Sequence, residues 1–148
     1  MKRRTKKEEP VVALVNTTRV QVRFSETDAM GVVWHGNYLK FFEDGREAFG
    51  REFGLGYHTI YSNGYTAPVV DIHCQFKHSL TFGDVILVET GYVACDAAKL
   101  QFVYKVMRES DGLIMATGES TQVFLNTTNE LELVNPEFLK KWKEEQNL

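Results

Sequence analysis

Residues 37–54 read NYLKFFEDGREAFGREFG, and the spacing of their apolar side chains governs how the rest of the chain must fold. Tyr38, Phe41, Phe42, Phe49 and Phe53 recur at helical intervals, so they gather on one face of a long helix. Asn37 offers an N-cap at its start, and Gly54 a C-cap at its end. Gly45 falls inside this helix, where glycine costs about 1 kcal/mol against alanine, so it marks either close approach by another backbone or simple tolerance. Close approach suits a helix enclosed by a sheet. A face this aromatic has to be covered.

Working outward, the cover is written as strands. Upstream, Val20, Val22 and Phe24 alternate with Gln21 and Arg23, the period of a half-buried strand ending near Ser25. Downstream, strands are expected over 65–78, with Val70, Ile72, Cys74 and Phe76 on one face, and over 85–94, 99–109 and 113–125. Pro68 belongs at a strand start or edge, and Asp111-Gly112 favours a tight antiparallel turn between the last two strands. Asn135 followed by Pro136 reads as an N-cap and first helical position of a short terminal helix. Strand, long helix, four strands and a closing helix make an α+β chain, an antiparallel sheet of about five strands wrapped around a central helix.

The 148 residues suffice for one domain with a real core, expected over 11–148 after a disordered basic tail at 1–10. The opening MKRRTKKEE holds five of the 17 basic residues and two of the 20 acidic ones, leaving 12 basic against 18 acidic side chains in the body. An acidic body argues against a nucleic-acid module, and the tail reads first as a solvated segment and only second as a tether. No apolar run approaches the roughly 20 residues of a membrane span. The VVALV run after the tail is too short for a secretory signal, so a cytoplasmic protein is expected. Cys74 and Cys95 fit reduced structural thiols. His58, His73 and His78 have no metal-ligand spacing, and there is no Gly-X-Ser-X-Gly elbow or phosphate loop. Neither metal nor cofactor is expected.

The chemistry concentrates in SETDAMGVVWHGNY, residues 25–38, which joins the first strand to the helix. Asp28 on its own reads as a turn former, and His35 as a polar residue at a helix start. Together they juxtapose a carboxylate with a helix N-terminus whose free N–H groups, at 35–38, can hold a developing oxyanion. In order, Asp28, Gly31, Val32, Val33, Trp34, His35, Asn37 and Tyr38 resemble the motif of the hotdog-fold, 4-hydroxybenzoyl-CoA-thioesterase-like family. APVVDIHCQF, the turn ending FGD and VILVETGYV extend the likeness over residues 18–126.

The resemblance implies a hotdog fold and an acyl-CoA thioesterase, with Asp28 as the carboxylate and the backbone amide of His35 in the oxyanion site. Asp28 would act either as general base on water or as nucleophile, and sequence leaves both open. The same likeness puts Trp34 and Tyr38 along the acyl tunnel, though aromatic residues beside a buried helix also read as core, and puts Glu43 and Ala67 at its far end. It also implies a homodimer or homotetramer with active sites between subunits.

The chain departs from the benzoyl-specific branch, where tyrosine and proline stand in place of His35 and Gly36; this is closer to the branch acting on aliphatic acyl-CoA. Ala67 offers no hydrogen bond to a ring hydroxyl. Lys99 alone remains of a basic turn over 95–99, with Lys77, Lys105 and Arg108 as alternative phosphate contacts. The acidic body makes free CoA a more natural carrier than an acidic carrier protein. Hydration of an enoyl-CoA on the same fold, and acyl-CoA binding without turnover, are the competing functions.

Overall fold

The computed structural model describes residues 10–148, so the expected basic tail lies, apart from Pro10, outside the described residues. The chain forms β1 (Val12–Gln21), a 3-10 turn (Phe24–Glu26), α1 (Asn37–Phe53), α2 (Tyr57–Ser62), β2 (Val69–Phe76), β3 (Val85–Val93), β4 (Lys99–Arg108), β5 (Ile114–Val123) and α3 (Glu137–Glu145). The strands make one fully antiparallel sheet in the order β1-β3-β4-β5-β2, with β1 and β2 at its edges. The helix α1 packs on this sheet against β1, β3 and β4. This is the α+β hotdog arrangement.

The aromatic face of α1 supplies the core as its spacing requires. Tyr38, Phe41, Phe42 and Phe49 are buried against Val88, Tyr92, Phe102, Tyr104 and Val106. Each such side chain is worth about 1.5–3 kcal/mol over leaving it in water. Phe42 stacks on Tyr104 with centroids 4.3 Å apart, and it also reaches β5, where a Cβ on Gly118 would stand 2.4 Å from its ring. Burial pushes the Tyr104 phenol up; its oxygen bonds the Ser120 hydroxyl and accepts from Arg46 Nη1 at 2.9 Å. At the other end of α1, Trp142 of α3 donates its indole N–H to the Phe53 carbonyl at 2.7 Å and meets Tyr92 edge-on. The Tyr92 phenol is pushed up to about 12 by burial.

Several boundaries differ from the sequence reading. β1 runs upstream of the expected alternation and its ladder ends at Gln21, opposite Val85 where β3 begins. Val22 therefore donates to Asp84, outside the ladder, and Phe24 turns out into solvent at 75% exposure. β2 begins after Pro68, with only an isolated Thr66–Leu125 bridge before it. α2 was unforeseen: with Ile60 as its buried residue, it is too short to print a helical period. Gly36 and Pro136 hold the N-cap positions of α1 and α3, because the Asn37 and Asn135 amides donate to the carbonyls of Glu26 and Asp96. The Asp111-Gly112 turn stands as expected, with Gly112 N–H donating to Arg108 at 2.8 Å.

Gly45 marks a close approach, although to side chains of β3 and not to backbone. A Cβ there would lie 2.2 Å from Thr90 Oγ1 and 2.9 Å from Val88 Cγ1. Gly45→Ala therefore loses stability despite alanine's better helix propensity, by about 1–3 kcal/mol from overpacking. Adding Thr90→Ala recovers part of that loss, measured by urea denaturation of the single and double variants.

Candidate active site

The loop between the 3-10 turn and α1 closes on itself around Asp28. The Asp28 N–H donates to the Val32 carbonyl at 2.8 Å, and the Gly31 N–H donates back to the Asp28 carbonyl at 2.9 Å. Gly31 takes φ +78°, a conformation a side chain resists, which explains glycine three residues after the aspartate. Asp28 Oδ1 accepts the Met30 N–H at 2.8 Å; Oδ2 has no hydrogen-bond partner among the described residues. The expected turn-forming role and a free carboxylate oxygen thus coexist in one side chain.

The helix start can be audited amide by amide. The Val33 N–H donates to Leu80, Trp34 to Glu26, Asn37 to Trp34 and Tyr38 to His35. Those of His35 and Gly36 have no acceptor among the described residues. The free donors expected at 35–38 are therefore narrowed to two adjacent groups at the positive end of α1, an arrangement that favours negative charge.

Asp28, His35 and Tyr38 line one cleft of about 290 Å³, shared with Met30, Val32, Val33, Phe76, Lys77, His78 and Ser79. Tyr38 is 3% exposed, meets Phe76 edge-on at 5.0 Å, and has its phenol pushed up by burial against a weaker downward pull from the Leu80 backbone. The Trp34 ring lies tilted 4.9 Å from His35 and covers Gly36, where a Cβ would come within 2.1 Å of the indole. Glycine after His35 is thus the condition for Trp34 to occupy this place.

The cleft does not include every expected site residue. Glu43 is exposed on α1, while Ala67 precedes β2 at the end away from Phe76, with its carbonyl held by Gln122 at 2.7 Å. Lys99 opens β4 at the end opposite Arg108, about 30 Å from it at some 3.3 Å per residue. Conversely, sequence reading missed Met30, Phe76, His78 and Ser79 as cleft residues. Phe76 was read only as sharing a strand face with Val70, Ile72 and Cys74, and it is 53% exposed.

A larger groove of about 690 Å³ runs between β1 and the outward side of α1. It holds neither Asp28 nor His35. Of the four cations in its lining, Arg19, Arg23, Lys40 and Arg51, Arg19 and Lys40 are paired with Glu109 and Glu26, and burial raises the Asp44 carboxyl on its wall. Among the described residues no three His, Cys, Asp or Glu side chains gather as metal ligands, and no helix is long and apolar enough to cross a membrane.

The sequence profile of the thioesterase-like superfamily matches residues 22–142. A putative acyl-CoA thioesterase, YneP, of Bacillus subtilis is 35% identical over 92 residues, 62% of this chain and 67% of that protein. The acyl-CoA thioesterase YbgC of Haemophilus influenzae is 31% identical over 99 residues, 66% of this chain and 73% of its own length. Among solved structures, a DHNA-CoA thioesterase from Staphylococcus aureus superposes with a TM-score of 0.79 at 25% identity, covering 90% of this chain and 92% of that one.

The contact between Trp34 and Gly36 is open to a direct check. In a Trp142→Phe background, which leaves Trp34 as the only tryptophan, Gly36→Ala displaces the indole. The expected result is a shift in tryptophan emission with far-UV circular dichroism unchanged.

Proposed function

The chain belongs to the thioesterase-like superfamily and works as an acyl-CoA thioesterase, and we propose that Asp28 drives the hydrolysis while the N–H groups of His35 and Gly36 hold the oxyanion. One observation carries this reading: a carboxylate with a free oxygen shares a cleft with the start of a helix that keeps two adjacent amides unbonded. Asp28 takes a proton from water as its oxygen adds to the thioester carbonyl. The carbonyl oxygen, now negative, is held by the two amides. Collapse of the tetrahedral intermediate expels the CoA thiolate, which recovers the proton, leaving a carboxylic acid and free CoA. No metal or redox group enters this scheme.

The apolar lining of Met30, Val32, Val33 and Phe76 supports an aliphatic acyl group, with Tyr38 in the same lining and Trp34 outside it, against His35. Ala67 and Glu43 at the far end of the acyl pocket, and Lys99 on a CoA phosphate, require a second copy of the chain, because in one protomer they lie away from the cleft. The edge strand β2 supports such a homodimer, with dimers pairing further into a tetramer. Its outer edge is open among the described residues, and Val70 (59% exposed) and Phe76 stand near its two ends. Antiparallel pairing of two β2 strands would bring the Ala67 end of one against the Phe76 end of the other. The unpaired thiols of Cys74 and Cys95 support a reducing, cytoplasmic setting.

Release of free CoA thiol from short aliphatic, long aliphatic and aromatic acyl-CoAs tests the chemistry. Selective aliphatic turnover is expected, falling about 10²–10⁴-fold in Asp28→Asn. Loss of an enoyl-CoA chromophore without thiol release would instead indicate hydration. The subunit arrangement is tested by Val70→Asp, expected to sediment as a folded monomer with turnover lost; an active monomer would overturn the shared site.

A further inference from the structure

We infer that Glu26 and Asn37 form a clasp that positions the reacting groups, an assignment resting on the reading of Asp28 and the His35 and Gly36 amides given above. Glu26 is only 4% exposed, the one buried carboxylate among the described residues. Its carboxylate folds back to accept the Arg23 N–H at 2.7 Å through Oε1, and it meets Lys40 Nζ at 3.3 Å through Oε2. This closes the 3-10 turn and fixes the peptide that follows.

The carbonyl of that peptide is a double acceptor. It takes the Trp34 N–H at 2.9 Å and the Asn37 side-chain amide at 2.8 Å. Residue 26 is thereby bound to both sides of the pair 35–36, with Asp28 only two residues beyond the bonded carbonyl. The clasp does two things at once. It sets the carboxylate near the helix start, and it occupies the Trp34 amide, so that of the amides from Val33 to Tyr38 those of His35 and Gly36 stay unbonded.

Asn37 explains itself in the same terms. A residue at a helix start ordinarily turns its side chain to its own helix's free amides; here the side chain reaches outward across eleven residues of sequence to the Glu26 carbonyl. A capping Asn37 would turn to the amides of residues 39 and 40; a clasping one ties the loop that carries Asp28 to the helix start instead.

The test compares Asn37→Leu, Glu26→Leu and Glu26→Gln with the native protein and with Asp28→Asn, reading kcat, KM and thermal midpoint. Leucine removes the polar atoms at similar volume; glutamine keeps the oxygen that accepts the Arg23 N–H. The expected result is a kcat lower by about 10- to 100-fold in Asn37→Leu and Glu26→Leu, with KM within about twofold, and recovery to within about threefold in Glu26→Gln. A residue that served folding alone would lower the midpoint and leave kcat per folded molecule intact. Should Glu26→Leu fail to fold, Asn37→Leu and Glu26→Gln decide the matter alone. Native kcat in folded Asn37→Leu overturns the clasp while Asp28→Asn still abolishes turnover. Turnover surviving in Asp28→Asn overturns the underlying reading and the clasp with it.

Discussion

Everything in this molecule depends on covering the aromatic face of α1. A helix carrying Tyr38, Phe41, Phe42 and Phe49 on one side cannot face water, and the antiparallel sheet supplies the apolar surface that removes it. The fit is close enough that no side chain is tolerated at Gly45, where β3 presses in, or at Gly118, where the Phe42 ring lies. The helix is thus fixed in translation as well as in rotation, because an aromatic stripe alone would tolerate sliding along the sheet but two points of van der Waals contact do not. Trp142 and the Phe53 carbonyl close the C-terminal end.

Fixing α1 fixes its first turn, and the chemistry follows from where that turn ends up. The early amides of a helix find acceptors in the chain or in water, or are left for a ligand. Four of the six amides from Val33 to Tyr38 are satisfied by carbonyls of the chain, and the two left over are neighbours close to Asp28, the one carboxylate of the cleft among the described residues. The loop that carries Asp28 is tied to the same turn by short hydrogen bonds, so carboxylate and donors share one frame of reference. Electrostatic stabilisation of a transition state requires that kind of preorganisation, since donors that must first reorient give back much of what they contribute.

The fold was legible in the sequence because both of its periods are long: aromatic residues at helical spacing in α1, and alternation over strands of eight to ten residues. The details that escaped are those set by partners remote in sequence. β1 stops at Gln21 because β3 starts at Val85, a fact no local window contains. Asn37 looked like a cap because local chemistry favours it, whereas the Glu26 carbonyl eleven residues away outcompetes its own helix. In the cleft, Asp28, His35 and Tyr38 were readable as a motif. Phe76, His78 and Ser79 were not, since the strand alternation that includes Phe76 does not tell which remote loop its end will meet, and His78 and Ser79 follow that strand with no pattern of their own.

The architecture also gives a physical reason why the two ends of β2 matter differently. An open edge strand leaves backbone donors and acceptors unpaired, a liability that proteins blunt with charge, prolines or cover. Pro68 guards the start of β2, and Asp71 and His73 stand exposed along it, but Val70 and Phe76 leave apolar surface beside the ladder. Phe76 is also a wall of the cleft. Whatever covers this edge therefore also sets the dielectric in which the Asp28 carboxylate and the free amides work, because excluding water from one side of Phe76 excludes it from the cleft behind. Under the proposed pairing along β2, the contact that covers the edge would also keep water from the Phe76 wall of the cleft and so strengthen the hold of the two free amides on an oxyanion.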